Sequence, residues 1–176
     1  MDSASLRAKQ APLKEQYRNT PSTAIVTLKS SGSLDSTSIT CKLSTGQALT
    51  ESKVAGLHPA TGGDGVSGEL CSGDMLLEAL VACAGVTLKA VATALDIQVR
   101  SGTVRAEGDL DFRGTLGVDK TAPVGFQEIR MSFELATDAE QQKLDTLLKL
   151  TERYCVVLQT IAQKPKLSCT MSKTAE

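Results

Sequence analysis

Apolar and polar residues alternate at period two in several stretches of this chain, and elsewhere they recur at the three-to-four spacing of a helix. Ala24 to Lys29 reads as a strand, and Thr37 to Leu43 alternates with Ile39, Cys41 and Leu43 on one face. Ser31-Gly32-Ser33 supplies the expected turn between them. Further on, Val104, Ala106, Leu110 and Phe112 alternate with Arg105, Glu107, Asp109, Asp111 and Arg113. Ile129, Met131, Phe133 and Leu135 alternate with Glu128, Arg130, Ser132 and Glu134. Strands of this kind cover a core with one face and meet water with the other. Leu167, Cys169 and Met171 continue the pattern as a closing strand.

Two helices are predicted among these strands. The first runs from Met75 to about Leu95, with Ser72 or Asp74 as its cap. Leu76, Ala79, Leu80, Cys83, Val86, Thr87 and Ala90 form one broad face, yet Leu77, Val81 and Leu88 make the other side apolar too. A helix apolar nearly all round is buried on most sides, which predicts that a second subunit helps to cover it. The second helix opens at Thr137-Asp138-Ala139-Glu140, a capping-box pattern. It carries Leu144, Leu147, Leu148, Thr151, Cys155 and Leu158 as a stripe, and Lys164-Pro165-Lys166 ends it.

Residues 56 to 73, with six glycines, His58 and Pro59, read as an irregular loop. Residues 1 to 20 are polar, contain Pro12, and form either an arm or a short docking helix. No repeat or linker interrupts the order. The reading is one mixed α+β domain over residues 1–176.

Composition narrows the function. The net charge is −1 and only five residues are aromatic, so neither a basic surface nor base-stacking platforms point to nucleic acid. Glu78 and Lys89 interrupt the Met75–Leu95 stretch, which makes it a buried helix rather than a membrane anchor. The N-terminus shows no export signal, so the expected compartment is the reducing cytoplasm, and the five cysteines are not a disulfide scaffold. They contain no C-x-x-C, and His58 is the only histidine, so no metal is expected. Gly62-Gly63-Asp64-Gly65 lacks the lysine of a phosphate loop. No cofactor is expected.

Cysteine is often only a small core hydrophobe. Cys41 and Cys169 read that way, each alternating with apolar neighbours, while Cys71 falls in the glycine-rich loop. Cys83 and Cys155 lie on helical faces expected to meet in the core. Two thiols so placed can share a redox cycle, in which one forms a sulfenic acid and the other condenses with it. They can equally be packed and inert.

Ser72-Gly73-Asp74-Met75-Leu76-Leu77-Glu78-Ala79-Leu80-Val81-Ala82-Cys83, followed by Thr87-Leu88, resembles the first cysteine motif of the OsmC/Ohr family. Arg153-Tyr154-Cys155-Val156-Val157-Leu158-Gln159-Thr160-Ile161 resembles the second. The resemblance covers residues 55–171 and, more loosely, the N-terminal strands. It implies antiparallel sheets packed around long central helices in an intertwined homodimer with active sites at the subunit interface. It also implies a thiol-dependent peroxidase that reduces organic hydroperoxides and is recycled by an external thiol. Cys83 would be the peroxidatic thiol and Cys155 the resolving one. Asp74 stands where many members carry glutamate, as a catalytic acid or a plain cap, and Arg18 or Arg153 would organise the thiolate. Gly73 offers no carboxylate where well-studied peroxidases have glutamate, and Val156 replaces the usual proline, which leaves the start of the second helix shifted or continuous. The alternative reading is a non-catalytic dimer that binds a small apolar ligand between its central helices.

Overall fold

The structure is a computed structural model that describes residues 3–34, 41–44, 54–63 and 69–173. In chain order it holds helix α1 (Ser3–Asn19), strands β1 (Ile25–Leu34), β2 (Cys41–Ser44), β3 (Val54–Gly56) and β4 (Glu69–Cys71), and the long helix α2 (Ser72–Ala94). Strand β5 (Ser101–Asp111), the helical turn α3 (Phe112–Thr115), strand β6 (Glu128–Ala136), and helices α4 (Gln141–Tyr154) and α5 (Val156–Gln163) follow. The architecture is mixed α+β.

Strands β2, β1, β5 and β6 form an antiparallel sheet in that order. The alternation expected in β5 and β6 sets its two faces. Val104 pairs with Phe133 and Ala106 with Met131, and these side chains point toward the helices. On the other face Arg130 reaches Asp109, with 2.6 Å between the charged atoms, and pairs with Glu128. Arg105 likewise pairs with Glu134 across the strands. Gly108 is required by a close approach: a Cβ there would lie 2.5 Å from the ring of Phe126.

Helix α2 packs Leu77, Leu80, Val81, Ala84, Leu88 and Ala92 into the core at helical spacing. This is largely the side opposite to the broad face expected from sequence. Leu76 and Val86 of that face are exposed, as are Ala79 and Ala90. Both sides are apolar, so periodicity could not choose between them; the inner face of the sheet does. By length and composition α2 could cross a bilayer, but the burial of this face identifies it as a core helix. Lys89 is buried too, and its ammonium donates to the carbonyl of Val99.

Several boundaries differ from the expected ones. Ser31-Gly32-Ser33 is not a turn: these residues continue β1 and pair with β2, Ser31 opposite Ser44. Of the strand expected at Thr37–Leu43, residues 37–40 lie outside the described residues. The loop expected at 56–73 contains short strands, because β3 and β4 pair in parallel, so the second sheet is not antiparallel. Helix α2 is capped by neither Ser72 nor Asp74; Cys71 is the cap, its sulfur accepting from the amide of Gly73 at 3.4 Å. Strand β5 stops at Asp111, whose carboxylate accepts from the amide of Arg113 and caps the start of α3, so Phe112 and Arg113 leave the strand. The capping box at Thr137 does not form. Thr137 donates to the carbonyl of Gln98 and accepts from the amide of Ala139, and α4 begins at Gln141 without a side-chain cap.

The closing strand is also absent: residues 164–173 have no regular structure, with Leu167 88 % and Met171 100 % exposed. Alternation alone does not make a strand where no sheet edge is within reach. Cys169 is therefore exposed rather than packed, and Cys169→Ser is expected to change unfolding free energy by no more than about 0.5 kcal/mol. Urea denaturation checks this. Cys41 falls in β2, its side chain outside the described part of the structure.

The N-terminal segment is a docked helix despite Pro12. Tyr17 is buried and donates to the carbonyl of Ala60 at 2.7 Å, and Gln10 donates to the carbonyl of Thr61. These bonds hold the 58–63 turn, where His58 accepts from the amide of Ala60 and stacks on Phe112.

Candidate active site: a thiol pair at a helix break

Cys155 separates α4 from α5. Its backbone is extended (φ −71°, ψ 104°), yet its amide still donates to Thr151 and its carbonyl accepts from Gln159, both at 2.9 Å. It therefore ends one helix and caps the next without the proline expected at position 156. Two side chains support the break. The Thr151 hydroxyl bonds back to the carbonyl of Leu147, a pattern that bends helices. The amide of Gln159 donates to the carbonyl of Glu152 at 2.8 Å, and so satisfies a last-turn acceptor of α4. Neither Thr151 nor Gln159 was singled out from the sequence as supporting a break. A hydroxyl and an amide placed either side of a cysteine are too common a pattern to be a signal.

The break aims the first amides of α5 at sulfur. Helix α2 packs on α5 and brings Cys83 to this point. Burial pushes the Cys83 thiol up, but four groups outweigh it and hold the thiol below its ordinary value: the Val157 amide, the Cys155 thiol, the Thr87 hydroxyl and the Val156 amide. Cys155 is 0 % exposed and is pushed up to about 11, chiefly by burial. The amides of Leu158 and Val157 act against that shift, whereas the bond to Cys83 and the negative charge there add to it. The two thiols are thus shifted in opposite directions, Cys83 downward and Cys155 upward.

A match to the family model of OsmC-like proteins spans residues 63–170, more than half of the chain. The chain belongs to the OsmC-like family. No curated protein matches the sequence. In this OsmC-like chain the matched stretch contains Asp74, Cys83 and Cys155, while Arg18 and His58 precede it.

Asp74, Arg18 and Arg153 are the other candidate residues. Asp74 lies in the first turn of α2, roughly 13 Å along the helix axis from Cys83 at 1.5 Å per residue. Burial raises its carboxyl, the nearby His58 lowers it and Glu78 raises it. Arg18 is exposed at the end of α1. Arg153 is exposed over the ring of Tyr154. None of the three is among the groups that shift Cys83.

Two apolar cavities lie beside α2. One, of about 400 Å³, is walled by Leu57, Leu76, Leu110, Phe112 and Phe126, with His58 and Cys71 at its polar end. The other, about 280 Å³, is lined by Leu80, Phe126 and Leu158. Phe126 borders both. Leu80 and Leu158 each stand one helical turn from a thiol-bearing residue.

Proposed function

We propose that this OsmC-like protein is a thiol-dependent peroxidase that reduces organic hydroperoxides to alcohols. The observation that carries this reading is the asymmetry of the thiol pair, with Cys83 lowered and its buried partner Cys155 raised. The Cys83 thiolate attacks the terminal oxygen of ROOH. The O–O bond breaks, the alkoxide takes a proton from solvent and leaves as ROH, and the sulfur becomes a sulfenic acid. The Cys155 sulfur then attacks the sulfenic sulfur, water leaves with the Cys155 proton, and a disulfide forms. Two equivalents of an external thiol of the reducing cytoplasm supply two electrons, become a disulfide themselves, and restore both groups. The apolar cavities favour an organic R group over hydrogen peroxide.

The protein works in this reading as an intertwined homodimer, because α2 leaves Leu76, Ala79, Val86 and Ala90 exposed on its second apolar face. Asp74 and Arg18 then serve Cys83 of the other subunit. Sedimentation at micromolar concentration is expected to give a dimer; a well-folded monomer counts against the interface. Stopped-flow measurement of thiol loss with cumene hydroperoxide tests the chemistry.

The cavity of about 400 Å³ supports a second reading, a dimer that binds a small apolar ligand without turning it over. Saturable ligand binding with no thiol loss selects that reading.

A further inference from the structure

We propose that His58 is an acid-sensitive latch for α1: its unprotonated ring holds the 58–63 turn on which the helix is docked, and protonation releases the helix. The Nδ1 atom of His58 accepts from the amide of Ala60 at 3.0 Å. A nitrogen that accepts must carry a lone pair. An imidazolium has none on either ring nitrogen, so no rotation of the ring restores the bond. Proton uptake therefore sets a donor against a donor. The carbonyl of the same residue accepts from the amides of Thr61 and Gly63 and from the Thr61 hydroxyl. His58 thus organises the turn through its backbone and its ring together.

Helix α1 grips this turn. Tyr17 is 2 % exposed and donates at 2.7 Å to the carbonyl of Ala60, the residue whose amide the ring holds. Gln10 donates at 3.1 Å to the carbonyl of Thr61. Gly62 sits at φ 100°, and a Cβ there would lie 3.3 Å from that of Lys9, so the helix also packs closely on the turn. From α3, Phe112 stacks on the imidazole with 4.9 Å between ring centroids.

The titratable and charged groups around the ring come from several elements. Asp74 lies in the first turn of α2, Cys71 caps that helix, and Tyr17 and Lys9 belong to α1. Asp111 and Arg113, on either side of Phe112, bind each other. Burial holds the imidazole below its ordinary value, and the charge of Asp74 acts against that shift without overcoming it. The docked state therefore prefers the neutral ring. As pH falls below the ordinary histidine value of about 6.5, the released state binds the proton more readily, and docking weakens. His58 and Thr61 also line the cavity of about 400 Å³, so release of the turn loosens one wall of it.

The test is hydrogen exchange of α1 in the full-length protein, read by mass spectrometry and corrected for the intrinsic pH dependence of exchange. Between about pH 7.5 and about pH 5.5, protection of α1 is expected to fall by up to about ten-fold. His58 is the only histidine, so its ring resonance can be followed by NMR in the unaltered protein. The loss of protection should track that titration. His58→Asn keeps an acceptor at the cap and takes up no proton, so α1 should stay protected at both pH values. Level protection in the wild type overturns the proposal, as does a fall that does not follow the His58 titration. An equal fall in His58→Asn overturns it too.

Discussion

Replacing Cys83 with serine is expected to reduce cumene hydroperoxide consumption to the rate of buffer alone. The attacking group must be a thiolate, and a serine hydroxyl does not ionise near neutral pH. Cys155→Ser should behave differently. Attack on the peroxide needs only the lowered Cys83 thiol, so this variant is expected to consume one equivalent and stop as a sulfenic acid, which a dimedone adduct on Cys83 would reveal. The pH dependence follows with a definite sign. Peroxide reduction should rise as pH passes upward through the lowered midpoint of Cys83, while Cys155, at about 11, stays protonated across the same range. Full activity in Cys83→Ser would remove the assignment outright. Alkylation of Cys155 before Cys83 near neutral pH would reverse the two roles.

Leu77→Ala is expected to cost about 2–5 kcal/mol of unfolding free energy, the range for a fully buried leucine whose cavity cannot collapse. Leu77 is 0 % exposed and packs in the core with Val81 and Leu80. Its neighbour Leu76 is 39 % exposed, so Leu76→Ala should leave the subunit's own folding nearly unchanged. Its effect belongs to association instead, seen as a lower dimer fraction on dilution. Urea denaturation combined with sedimentation separates the two outcomes. Equal losses of intrinsic stability from both substitutions would mean that the described orientation of α2 is wrong.

This pair of leucines shows where a sequence pattern runs out. Period-two alternation identified β5 and β6 with their inner and outer faces, since each strand has one clearly charged side. The α2 segment was equally legible as a helix, because its apolar run is too long for a strand. Which side of it faces the sheet was not legible, because Leu76 and Leu77 are chemically identical and adjacent. Alternation at 167–171 misled for a related reason. A strand forms only where another edge satisfies its backbone, and none receives it in the described chain.

The same division holds for the site. Sequence alone singled out Cys83 and Cys155, through helical stripes and motif resemblance, and it left Val156 as an uncertain start for the second helix. Tertiary structure decided that the helix breaks at Cys155 even without proline, supported by Thr151 and Gln159. That break frees the amides of Val156 and Val157, and the packing of α5 on α2 turns them toward Cys83. Periodicity reports which residues share a face of one element. The difference between the thiols arises from groups on two elements and from unequal burial, and only the folded chain sets those.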